Sequence, residues 1–149
     1  EMFNHCELHD AITSPKIDTR GRHVWNQYVI RVADGKRDAL REHLTASGVG
    51  TEIYYPVPLH LQKCFDNFGW KMGDLPITEY AAKETLALPI FAELTPAEQA
   101  TVVGRIAEFF GRSPVPEEFE GMDKGSDAIG QPQHVKRTGL IGRADDVRC

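Results

Sequence analysis

Apolar positions dominate HVWNQYVIRV, residues 23–32, on both faces that a period of two would create. Val24, Asn26, Tyr28, Ile30 and Val32 share one face; Trp25, Gln27, Val29 and Arg31 share the other. Both faces are mostly apolar and rich in β-branched or aromatic side chains, which predicts a well-covered strand. The period then changes. Asp34 is a candidate N-cap, Leu40 and Leu44 stand one helical turn apart, and Gly48 falls where a helix stop belongs. A second strand is expected over Thr51–Tyr55, ended by Pro56. Residues 61–75 are less regular. Pro76 sits near the first turn of a helix expected to run through TEYAAKETLA, with Ala81, Ala82 and Leu86 facing inward. Leu88-Pro89-Ile90 reads as short and extended.

The clearest element is residues 95–110. Thr95 as N-cap, Pro96 at the first helical position and Glu98 at the third form a capping box. Val102, Val103, Ile106, Phe109 and Phe110 supply the apolar stripe, and Gly111 the stop. The order strand, helix, strand, helix, short strand, helix predicts an α+β domain: a small sheet with helices packed on one face. The domain is placed at residues 23–112. Residues 1–22 mix a candidate helix end with a loop leading into the first strand. Residues 113–149 are expected to be a mostly disordered tail, because 115–149 holds only seven Leu, Ile, Val or Phe in 35 residues.

Composition narrows the function classes. The chain has 149 residues, 41% hydrophobic and 26% charged, enough for one core. Net charge is −5 with scattered basic residues, which argues against nucleic acid. No apolar run approaches the roughly 18 residues that would cross a membrane. Cys6, Cys64 and Cys149 are far apart and odd in number, so a reducing cytoplasm fits better than a disulfide framework. The chain opens without an initiator Met, on EMFNHCELHD, which is no signal peptide; this hints at a fragment.

Motifs for familiar chemistries are weak. His5 and His9 have helical metal-ligand spacing but no third ligand at usable distance. Gly48-Val49-Gly50 lacks the lysine and hydroxyl of a phosphate loop. No Gly-x-Ser-x-Gly occurs. Glu79 and Glu84 read as exposed helix charges. What stands out is GTEIYYPVPLHLQ, residues 50–62. Tyr hydroxyls and His nitrogens suit phosphate and sugar oxygens, and Pro56 and Pro58 fix two φ angles, so such a rim loses little entropy on binding. The alternative is a strand end whose tyrosines merely pack with their hydroxyls at the surface.

Several blocks occur together and in order: YVIR, YP-x-PLH-x-Q, G-D-x-P-x-x-E and LALPI-x-x-x-LT. From His23 to Phe110 the chain resembles the C-terminal part of the DegT/DnrJ/EryC1/StrS family, pyridoxal-phosphate-dependent aminotransferases of fold type I that act mostly on nucleotide-linked keto sugars. The resemblance implies the small C-terminal domain of such an enzyme, with a few-stranded, largely antiparallel sheet and helices on one face. Residues 1–22 would then be a remnant of the interdomain segment. The family's Schiff-base lysine and most cofactor contacts belong to the large N-terminal domain. None of the seven lysines here lies in that lysine's context.

The resemblance therefore implies no catalytic residue and no cofactor-binding residue in this chain, and the His5–His9 spacing alone gives no metal site. Pyridoxal phosphate would serve the complete enzyme, a homodimer taking a nucleotide sugar and an amino acid donor, glutamate as first choice. By position, Tyr54 and Tyr55 would be substrate contacts, with Tyr54 replacing a more usual His. His60 and Gln62 match the P-L-H-x-Q block as substrate-proximal residues. His23 would support the site, and Asn26 stands where relatives often have His or Tyr. Two alternatives stay open: a non-catalytic binding or interaction module derived from the family, or a fragment of a sugar dehydratase using the same cofactor or its amine form. Separation from a large domain would expose an apolar patch, expected on the helices ending at Leu86 and Phe110.

Overall fold

The computed structural model describes residues 1–21 and 24–116. In chain order the elements are α1 (Met2–His5), β1 (Ile12–Thr13), β2 (Tyr28–Val32), α2 (Arg37–Ala46), two 3-10 turns (Leu59–Leu61 and Lys63–Phe68), α3 (Pro76–Glu84), β3 (Thr85–Leu88) and α4 (Pro96–Phe109).

The three strands form one antiparallel sheet in the order β1-β2-β3. Ile12 pairs with Val32 and Thr13 with Arg31; on the other side Tyr28 pairs with Leu88 and Arg31 with Thr85. Strand alternation sends Ile30 and Val32 to one face, where α2 and α4 pack together. Leu40, Leu44, Val103, Ile106 and Ala107 meet Ile30, Val32, Leu86 and Leu88 there. Cys6, Leu8, Ala11 and Ile12 from the N-terminal residues belong to the same core. Val115 joins it too, from the first residues of the expected tail; the rest of that tail, from 117 on, lies outside the described residues. The expected α+β class and antiparallel sheet hold, but the helices are not all on one face. Arg31 alternates to the opposite side and meets α3, donating to Glu84 and lying over the Tyr80 ring.

Local signals placed several ends correctly. Thr95 accepts from the Glu98 N–H while the Glu98 carboxylate accepts from Thr95, so the capping box of α4 is complete. Gly48 has φ +78°, the left-handed geometry of a glycine just past a helix end, and the Val49 N–H closes the turn onto Leu44 at 2.8 Å. Gly111, φ +63°, follows α4 in the same way.

Other expectations need correction. Among the described residues, the strand expected over 23–32 covers only Tyr28–Val32, and it is the second strand, after Ile12–Thr13. Asp34 is not the N-cap of α2; it sits at φ +58° in the preceding turn, and Lys36 precedes the helix. Thr51–Tyr55 is not a strand. Glu52 and Ala87 alone form a bridge, with two backbone hydrogen bonds of 3.1 and 2.7 Å. Pro56 and Pro58, lacking N–H groups, cannot extend that ladder.

The helix expected through Ala87 stops at Glu84, because residues 85–88 are taken into the ladder with β2. Arg37, itself buried, marks the stop. Its guanidinium donates to the carbonyls of Ala82 and Thr85, both at 3.1 Å, satisfying acceptors that a helix end leaves free.

The exposed apolar surface falls partly where expected: Ile77 and Tyr80 lie on α3, the helix expected to end at Leu86, while the ends named for it do not carry the patch. Leu86 is fully buried and Phe110 packs against the core. Phe68, Trp70 and Met72, in the irregular stretch before α3, add exposed apolar surface that was not expected.

Candidate functional site

The chain leaves β3's edge at Glu52 and enters the proline corner. Ile53 is buried and anchors the approach; the next two side chains turn outward. Tyr54 is 44% and Tyr55 56% exposed, with their rings edge-to-face at 6.2 Å. The peptide bond between them is cis. Past Pro58 the chain makes a 3-10 turn. Gln62 folds back so that its amide donates to the Val57 carbonyl at 3.2 Å, closing the corner on itself.

His60 behaves differently from its neighbours. It is buried at 8% exposure, and its Nε2 lies 3.0 Å from the Glu79 carboxylate. The carboxylate accepts, so Nε2 carries the donated proton. Nδ1 is buried with no hydrogen-bond partner among the described residues. The same Glu79 oxygen accepts from the Gly73 N–H at 2.8 Å. Burial by itself would raise the Glu79 carboxyl, but the hydrogen bonds from Gly73, His60 and Leu75 outweigh it and hold its pKa below the ordinary glutamate range.

The reading of Glu79 and Glu84 as exposed helix charges was thus mistaken. Both are buried, at 8% and 7% exposure, and each is paired. A signal was present: Glu79 stands three residues before Ala82, on the stripe already assigned to the inner face.

Two cavities adjoin the sheet. One, of about 330 Å³, is lined by Asn26, Gln27, Thr51, Glu52, Tyr54 and Ile90 among others. It brings Tyr54 together with Asn26, and it adds Thr51 and Glu52, which sequence reasoning did not single out. The other, of about 510 Å³, has mostly apolar walls from Phe3, Trp25, Tyr28, Leu88, Leu94 and Val102 among others. Among the described residues, no lysine or arginine lines either.

The structure therefore groups Tyr54 and Tyr55 on one rim, ties Gln62 into the corner behind them, and buries His60 against α3. His23 lies outside the described residues. His5 ends α1, so His9 does not share a helix with it, and no group of three or more metal-ligating side chains occurs among the described residues. No helix there is long and apolar enough to cross a membrane.

Comparison with known proteins follows the same outline. The chain is 49% identical over 102 residues to the pleiotropic regulatory protein of Geobacillus stearothermophilus, covering 68% of this chain and 27% of that one. It is 34% identical over 101 residues to the dTDP-3-amino-3,4,6-trideoxy-alpha-D-glucose transaminase of Streptomyces venezuelae, covering 68% of this chain and 25% of the relative. A crystal structure of a DegT DnrJ EryC1 StrS aminotransferase from Brucella abortus superposes with a TM-score of 0.63 at 34% identity, over 73% of this chain and 28% of that one. The chain thus spans about a quarter of the length of the curated relatives it matches. The DegT/DnrJ/EryC1/StrS aminotransferase family matches residues 2–107, so the match takes in the N-terminal residues that share the core as well as the rim, and the chain belongs to that family.

Proposed function

We propose that this chain is the C-terminal part of a pyridoxal-phosphate-dependent aminotransferase. The complete enzyme would move an amino group from an amino acid, glutamate as first choice, to a nucleotide-linked keto sugar, and would work as a homodimer. This part supplies a stretch of the substrate rim. One observation carries the reading: Tyr54 and Tyr55 stand exposed side by side on a proline-fixed corner, and Tyr54 borders a cavity walled by amides, a hydroxyl and a carboxylate. Such a wall suits the hydroxyl-rich portion of a ligand. The two phenol hydroxyls can donate to sugar or phosphate oxygens. The printed names of relatives support the substrate class: they include dTDP- and UDP-linked amino sugar transaminases.

The described residues do not fit pyridoxal phosphate itself. That cofactor supplies an electron sink when bound, and it needs a lysine amine for its aldehyde and strong donors for its phosphate. Lys16, Lys36, Lys63, Lys71 and Lys83 are all exposed, and none lines either cavity. We assign no chemical step to the cofactor on this chain; its lysine would come from the large domain.

A non-catalytic module derived from the family is the second reading. The regulatory name of the 49% identical relative favours it. The test is a titration of the chain with UDP- and dTDP-linked sugars, followed by NMR of labelled tyrosines. Shifts at Tyr54 and Tyr55 are expected; their absence at millimolar ligand would overturn the rim. Borohydride reduction with pyridoxal phosphate is expected to leave no single lysine stoichiometrically labelled. Specific labelling of one lysine would overturn the placement of the cofactor.

A further inference from the structure

The rim stands at the head of a long irregular stretch. From Tyr54 to Thr78 the chain is exposed or half-buried at every position except His60. Its backbone hydrogen bonds are local: Leu61 to Pro58, Gln62 to Leu59, Phe65 to Gln62, Gly69 to Asp66 and Asp74 to Lys71. Local turns of this kind give shape but no attachment, and a segment with few buried contacts opens readily.

Two hydrogen bonds that leave this stretch end on a single oxygen. Glu79 Oε1 accepts from His60 Nε2 at 3.0 Å and from the Gly73 N–H at 2.8 Å. His60 belongs to the corner that carries the tyrosines; Gly73 lies at the far end, just before α3. One carboxylate on the first turn of a helix therefore cross-ties both ends of the stretch. Gln62 completes the linkage by closing the corner onto Val57, so anchoring His60 anchors the turn as a unit.

We propose that Glu79 is a positioning residue: acting through His60, and through Gly73, it latches the Tyr54–Tyr55 rim and the stretch behind it onto α3. What the rim is for rests on the functional reading above; the latch itself does not. The corner's stiffness comes from Pro56 and Pro58, but a stiff corner without an anchor would swing as a body. A charged acceptor shared by two donors is strong where it is dry, and leaving either donor unpaired there is costly.

The test is hydrogen–deuterium exchange on the whole chain, read together with fluorine NMR of 3-fluorotyrosine. Glu79→Ala is expected to speed exchange over residues 56–75 roughly tenfold or more, with α4 unchanged. The Tyr54 and Tyr55 lines should narrow toward those of a mobile tyrosine. Glu79→Gln keeps an acceptor oxygen at the same place and is expected to restore most of the protection, which simple loss of a side chain would not predict. His60→Ala should free the rim while leaving residues near Gly73 tied. Unchanged exchange over 56–75 and unchanged tyrosine lines in Glu79→Ala would overturn the latch. So would equal loss of protection in α4, which would make the pair a support of the whole fold. Absence of nucleotide-sugar binding with these results intact would sink the functional reading and leave the latch standing.

Discussion

Arg31 of β2 and Glu84 of α3 are joined by two hydrogen bonds to one carboxylate oxygen, at 2.9 and 3.2 Å, across 53 residues of sequence. The pair fastens α3 to the face of the sheet that α2 and α4 leave uncovered. Glu84 is almost dry, with 9% of its side chain exposed, whereas Arg31 keeps 47%. Arg31→Ala would leave that carboxylate without its charged partner, and a loss of about 1–3 kcal/mol is expected. Chemical denaturation should read it, and a paired Arg31→Met, Glu84→Leu variant should recover much of the loss.

Tyr80 reports on the same cluster. Hydrogen bonding to Glu84 and that carboxylate's charge raise its phenol above the ordinary value, against the opposing charge of Arg31. Glu84→Gln should bring the titration back toward the normal range, and Arg31→Ala should push it further up. Ultraviolet absorbance against pH distinguishes the two. A raised folded-state value stabilises fully below the unfolded value of about 10 and is lost as pH climbs through the folded one.

Acid should act through three glutamates. Burial would raise Glu79, but its hydrogen bonds lower it; Glu98 is lowered by the Thr95 N–H and hydroxyl, and Glu108 by Arg105. Lowered values mean stability that is present above the unfolded value of about 4.3 and lost as pH falls through the folded values. Melting temperature should hold near neutral pH and drop on acidification below that point. A flat profile down to pH 3 would contradict all three.

The cap of α4 can be tested alone. Thr95→Ala removes the hydroxyl that accepts from Glu98 and should cost about 1 kcal/mol. Ile106→Val, at a fully buried core position, should cost about 0.5–1.5 kcal/mol by leaving a small cavity. Urea midpoints for each variant and the double mutant should be nearly additive if the sites are independent.

The tyrosines should separate stability from binding. Both are exposed, so Tyr55→Ala is expected to shift stability by no more than about 0.5 kcal/mol while weakening nucleotide-sugar binding. Denaturation and ligand titration on the same sample check both halves.

The sequence by itself determined those elements whose signals are local. The Thr95–Pro96–Glu98 cap, the glycine stop at Gly48 and the proline start of α3 need only neighbouring residues, because capping and turn chemistry act within one helical turn. The family was likewise legible, in ordered motif blocks. Tertiary structure decided what depends on distant partners. Residues 85–87 favour helix on their own but become strand because β2 offers a ladder. Glu79 and Glu84 look like solvated charges in a helical sequence, yet they are buried because His60, Gly73 and Arg31 arrive from elsewhere to meet them. The Tyr54–Tyr55 rim could be named from its residues. That His60 lies under α3 while the tyrosines face outward could not, since only the folded chain brings Glu79 within hydrogen-bonding distance of a histidine nineteen residues before it.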